Sequence, residues 1–214
     1  MKTNLIFAFG DSSTWGAFDL EKGGWAERLK NYFFQKREDT FVYNLGIESN
    51  TTKDLLKRFE NELRARIYSE DSSDYDYGSM IIFEIGQNDS LYNKDFGKAW
   101  VKLEEFEKNV YELIDKAKKY TDKIIFLELP EVDESKTIPW EENGDSYSNE
   151  NILRYNEKIK GICKKEKVIF LPTRDILKIA EDLHDGIHLN TQGHEKIFRR
   201  ILPVVEKMIG KVEK

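Results

Sequence analysis

The chain has a single cysteine, Cys163, so no disulfide can close within it and a multi-cysteine metal site is excluded. We read Cys163 as a half-buried helix residue. Only four prolines occur, too few for a proline-rich or collagen-like chain. Long hydrophobic runs are also missing. After Met1-Lys2-Thr3-Asn4, only Leu5 to Phe9 are apolar before Gly10, which is too short for a signal-peptide core or a membrane span. A cytoplasmic protein that engages no membrane is the expectation. A surplus of positive charge is lacking too: 34 Lys+Arg against 40 Asp+Glu leave a net charge of −6. Neither nucleic acid nor anionic lipid is therefore an expected partner.

What is present suits a folded α/β chain. Hydrophobic residues at 39% supply a packed interior, while 35% charged residues and a mean hydropathy of −0.64 describe a well-solvated surface. The length fits one domain over residues 1–214. Its partner is expected to be a small molecule, and the oligomeric state is left open.

Five short β-favouring apolar runs stand at 4–9, 41–45, 79–85, 123–129 and 167–171, each bounded by polar or turn residues. Between them apolar residues recur at helical spacing, as in Leu55, Leu56, Phe59, Leu63 and Ile67, or Val101, Phe106, Val110, Leu113, Ile114 and Ala117. Further helices fit 149–164, 174–182 and 191–201. Asn190 is the N-cap candidate of the last, and Pro203 should break it or start a final short segment to about residue 212. Alternating strands and helices imply right-handed crossovers, hence a three-layer doubly wound sandwich with a five-stranded parallel sheet. The long irregular stretch 130–148 is a candidate rim or lid.

In such folds ligands gather beyond the carboxyl ends of the strands. Gly10-Asp11-Ser12-Ser13 follows the first run, Gly46 the second, and Gly86-Gln87-Asn88-Asp89 the third. Near the other end, Asp185-Gly186-Ile187-His188 spaces a carboxylate and an imidazole so that one turn can aim Asp185 at one ring nitrogen. The other nitrogen is left for a general base.

These four blocks, in this order, resemble those of the SGNH hydrolases, the GDSL esterase/lipase family, and span residues 10–188. Leu189 stands where many members have proline. The resemblance implies the flavodoxin-like SGNH fold and a serine esterase that needs no metal or organic cofactor and cleaves a small-molecule carboxylic ester. Ser12 would be the nucleophile, His188 its base and Asp185 the group that orients the imidazole. The oxyanion would meet the amides of Ser12 and Gly46 and the side chain of Asn88. Acyl transfer to another alcohol, or a non-catalytic crevice for a sugar or nucleotide, are the alternatives. No G-x-S-x-G, HExxH, Walker A or GxGxxG signature competes.

The remaining candidates have plainer readings. Asp11 and Asp89 should brace their loops by accepting backbone hydrogen bonds. His194 lies inside the last helix with no acid at the matching spacing and reads as structural, and His184 as a solvated neighbour. Trp15, Tyr92 and Trp140, with Phe18, are candidates for substrate contact.

Overall fold

The computed structural model describes residues 3–36, 39–67, 77–140 and 142–210. Five parallel strands form one sheet: β1 (Thr3–Gly10), β2 (Thr40–Gly46), β3 (Tyr77–Glu84), β4 (Ile124–Leu127) and β5 (Ile169–Leu171), in spatial order β2-β1-β3-β4-β5. The helices are α1 (Ser12–Trp15), α2 (Gly24–Lys36), α3 (Thr52–Arg64), α4 (Leu103–Lys118), α5 (Glu134–Thr137), α6 (Asn149–Glu166), α7 (Ile179–Asp182) and α8 (Thr191–Ile209). The expected α/β fold, a five-stranded parallel sheet flanked by helices, is the one found.

Period-two alternation in β1 sorts its side chains between two layers. Leu5, Phe7 and Phe9 join Phe59 of α3, Val110 of α4 and Ile159 of α6 on one face. Ile6 and Ala8 pack with Trp25 and Leu29 of α2 and Ile197 and Ile201 of α8 on the other. Both faces are covered, so the strands read as nearly continuous apolar runs.

The register positions the site. Gly10 pairs with Gly46 of β2 on one side and with Glu84 of β3 on the other, so three strands end level. The chain reverses its progress across the sheet at β1, which opens a crevice there.

Three expectations need correction. The helix expected over 174–182 is a 3₁₀ turn, Arg174–Ile176, followed by the short α7. The Glu128 carboxylate accepts from the amides of Thr173 (3.0 Å) and Arg174 (3.1 Å), which pins this backbone to the end of β4. α8 runs unbroken through Pro203. The one ladder bond that proline forfeits is offset by Val205, fully buried, and by Met208 and Ile209 packed on the same layer. Residues 211 and 212 of the expected final segment lie outside the described residues. Cys163 is fully buried in α6 rather than half-buried, and burial pushes its thiol up to about 12. Asn190 does cap α8, accepting from the amides of Gln192 (2.9 Å) and Gly193 (3.1 Å). Among the described residues no helix is long and apolar enough to cross a membrane.

Candidate active site

Ser12 opens α1 directly beyond β1. Asp11 caps that helix by accepting from the Ser13 amide at 3.0 Å, which leaves the Ser12 hydroxyl at the mouth of the crevice. The hydroxyl lies 3.0 Å from His188 Nε2, although the two residues are 176 apart in sequence. His188 Nδ1 lies 2.7 Å from Asp185 Oδ2. The same carboxylate accepts from the amides of Ile187 (3.0 Å) and His188 (2.9 Å), a tight turn that holds acid and imidazole on one rigid unit. Gly186 enables that turn with φ 104, and a Cβ there would meet Lys136 Cβ at 2.9 Å. Burial alone would raise the Asp185 carboxyl, but hydrogen bonds from His188 and the two amides outweigh it and hold the group at about 2. Asp185 is therefore ionised at any ordinary pH.

Two further loops converge here. Asn88 begins a 3₁₀ turn, Asn88–Ser90, and its Nδ2 donates to the Asn50 carbonyl at 3.1 Å. Asp89 braces that turn from below. It is buried, accepts both the amide (2.9 Å) and the hydroxyl of Thr52, and so joins the β3 loop to α3. Gly46 closes β2 beside them. Its amide donates to Asn44 Oδ1 at 3.1 Å, and a Cβ at this position would meet Trp15 N at 2.1 Å. Glycine is needed at 46 because the end of β2 packs against the backbone of α1.

A buried layer of acid supports the nucleophile loop. Glu84 Oε2 accepts from Thr14 Oγ1 (3.0 Å) and Trp25 Nε1 (2.6 Å), tying α1 to β3 and α2. Burial pushes Glu84 and Asp89 each up to about 7, and burial followed by repulsion from Glu84 raises Asp11 as well. Arg58 of α3 donates to the Gly10 carbonyl (3.0 Å) and to Asn50 Oδ1 (2.9 Å), joining two of the loops. A carboxylate at the end of an apolar strand was a legible signal for Glu84. Nothing local pointed to Arg58 or Asn50, whose roles exist only once α3 lies beside β1.

The aromatic candidates divide. Trp140 lies edge-on to His188 at 6.4 Å, and Phe18, held at φ 60, lies 5.2 Å from the same ring. Trp15 is half exposed and Tyr92 bridges to Ser146 on the rim. His184 stacks on Phe18 at 4.2 Å. The described residues of 130–148 are braced at two points: the Asp133 amide donates to the Gly186 carbonyl at 2.8 Å, and Tyr147 and Thr137 exchange backbone and hydroxyl bonds.

The sequence from residue 6 to residue 201 matches the family model described as GDSL-like Lipase/Acylhydrolase. The chain belongs to this family. This GDSL-type esterase/acylhydrolase is 25% identical over 237 residues to a multidomain esterase of Ruminococcus flavefaciens, where 95% of the chain spans 28% of that relative's length. It is 23% identical over 225 residues to the human isoamyl acetate-hydrolyzing esterase 1 homolog, covering 96% of the chain and 82% of the relative. Among solved structures, Axe2, an acetylxylan esterase from Geobacillus stearothermophilus, superposes with a TM-score of 0.69 at 20% identity over 94% and 93% of the two chains. LAE5, an alpha/beta hydrolase from the metagenome of Lake Arreo, Spain, gives a TM-score of 0.70 at 19% identity over 94% of each chain. Both share the GDSL esterase's fold.

Proposed function

We propose that this esterase cleaves small carboxylic esters through an acyl-enzyme on Ser12, with residues 1–214 working as one domain. The observation that carries the reading is the continuous hydrogen-bonded line from Ser12 Oγ through the His188 imidazole to Asp185. A serine hydroxyl is a weak nucleophile unless a base takes its proton as it attacks. In the first step Ser12 Oγ bonds to the carbonyl carbon, its proton passes to His188 Nε2, and the carbonyl oxygen becomes an oxyanion. Collapse of that intermediate breaks the bond to the alcohol oxygen, which leaves with the proton from Nε2. Water then repeats the sequence on the acyl-enzyme and releases the acid. Asp185, ionised throughout, fixes the tautomer and stabilises the transient imidazolium.

The oxyanion is met by the Ser12 amide and by the Nδ2 hydrogen of Asn88 not used by Asn50. Gly46 serves in this reading by letting β2 approach α1, since Asn44 already holds its N–H. A short acyl group is favoured because the isoamyl acetate-hydrolyzing and acetylxylan relatives share an acetyl group and differ in the alcohol. Trp140 and Phe18, both against His188, then line the acyl or alcohol side.

The reading is tested by p-nitrophenyl acetate turnover together with an organophosphonate probe. Turnover is expected, with the adduct mapping to Ser12 and lost in Ser12→Ala. An adduct on Ser13, or undiminished turnover by Ser12→Ala, would overturn it.

A further inference from the structure

We propose that Tyr147 is a positioning residue of this ester hydrolysis: its hydroxyl orients and polarises the Asn88 carboxamide so that one N–H of that amide is presented to the oxyanion. The inference rests on the reading of Asn88 as an oxyanion donor and adds the group that sets it.

The geometry around Asn88 is asymmetric. Nδ2 donates to the Asn50 carbonyl at 3.1 Å, and Oδ1 accepts from Tyr147 Oη at 3.0 Å. A backbone carbonyl can only accept, so the nitrogen must face Asn50 and the oxygen must face Tyr147. Tyr147 is then the donor of its pair, and the amide is clamped at both ends with one N–H uncommitted. A hydrogen bond to Oδ1 draws electron density away from nitrogen, and chained hydrogen bonds strengthen one another, so the uncommitted N–H becomes a better donor as charge builds on the substrate oxygen.

The clamp is useful only if the hydroxyl cannot wander, and contacts to the backbone of residues 146 and 147 and to the phenol ring hold it in place. The Tyr147 amide donates to the Thr137 carbonyl at 3.1 Å, and Thr137 Oγ1 returns a bond of 2.9 Å to the Tyr147 carbonyl. The phenol ring meets Trp140 edge to face at 5.9 Å, and Trp140 in turn meets His188. The adjacent Ser146 exchanges two backbone bonds with Tyr92, at 2.9 and 3.0 Å, just beyond the Asn88 turn. The stretch read as a rim or lid thus touches the base at Trp140 and the oxyanion donor at Tyr147, and keeps the two in register. At 5% exposure the ring also belongs to the core, so a packing role is the reading that the experiment must separate.

Tyr147→Phe keeps the ring and removes only the hydroxyl. With the full chain and p-nitrophenyl acetate, we expect kcat to fall about tenfold, the size of one ordinary hydrogen bond, while KM stays within about twofold. Asn88→Ala is expected to lower kcat by about 10²–10³, and the double variant to be no slower than Asn88→Ala alone. Full kcat in Tyr147→Phe beside an impaired Asn88→Ala overturns this inference and leaves the oxyanion reading standing. So does a loss that adds in full to that of Asn88→Ala, or one that arrives with a raised KM and a lowered melting temperature, or failure of Tyr147→Phe to fold, because each is what a strut would give. Full kcat in Asn88→Ala overturns both.

Discussion

His188 and His194 sit close together in sequence, on the turn before α8 and in its first turns, and they have opposite surroundings. His188 keeps a fifth of its side chain exposed, has an ionised acid on Nδ1 and faces a serine hydroxyl through Nε2. His194 is fully buried, and Nε2 lies 3.1 Å from the Ala17 carbonyl while Nδ1 has no partner. Burial pushes its pKa down to about 4, outweighing the Ala17 carbonyl, which favours the protonated ring. The first ring can accept a proton and share the charge with a carboxylate. The second is a neutral strut holding the segment that carries Phe18 against α8. A basic side chain near a cleft is thus no more than a candidate, and the group on its far nitrogen decides what it can do.

The largest test of that contrast trims each histidine side chain to a methyl group. His188→Ala is expected to lower kcat by about 10⁵–10⁶ with little change in stability. His194→Ala should leave kcat within about tenfold and cost about 2–4 kcal/mol of stability, read from urea denaturation. Comparable catalytic losses in the two variants would erase the distinction. A smaller effect isolates the acid: Asp185→Asn keeps the shape of the turn but presents the wrong partner to Nδ1, and kcat should drop about 10⁴-fold. Near-normal turnover by that variant would show that the turn, and not the charge, makes His188 a base.

The smallest effect concerns pH. For His194 the folded pKa of about 4 lies below the ordinary 6.5, so its contribution to stability is full above 6.5 and is lost as pH falls through 4. The loss is on the order of 3 kcal/mol. Asp185, held at about 2 against an ordinary 3.8, loses its contribution only at lower pH. Glu84 and Asp89, raised to about 7, work in the opposite direction, contributing fully below their ordinary values and losing that as pH rises toward 7. The stability difference between wild type and His194→Ala, in which the carboxylate contributions common to both cancel, should therefore shrink by about 3 kcal/mol from pH 7 to pH 4. A constant difference would mean that His194 is not held neutral by its burial.

Much of the candidate site was legible in advance because its parts are local. Gly-Asp-Ser-Ser after an apolar run and Asp-x-x-His on a short turn are arrangements of neighbouring residues, and the pairing of Asp185 with His188 is a property of that turn. Gly46 shows the limit. Its position after β2 was legible, but the partner of its amide, Asn44, and the tight approach of Trp15 depend on how α1 lies over the strand. The stretch 130–148 lacked any periodic signal, so Tyr147 could not be distinguished there from any other aromatic residue. Pro203 misled because its local cost is fixed, whereas the compensating burial of Val205 exists only against the assembled second layer.

By itself, the sequence determined the alternation of strands and helices, the faces that each buries and the turn that joins acid to imidazole, since these follow from spacing along one chain. Only the tertiary structure decided that Ser12 meets His188, that Asn88 lies between Asn50 and Tyr147, and that one histidine faces the cleft while the other is sealed. Those relations join atoms far apart in sequence, and their geometry is set by packing across the sheet, where no local pattern reaches.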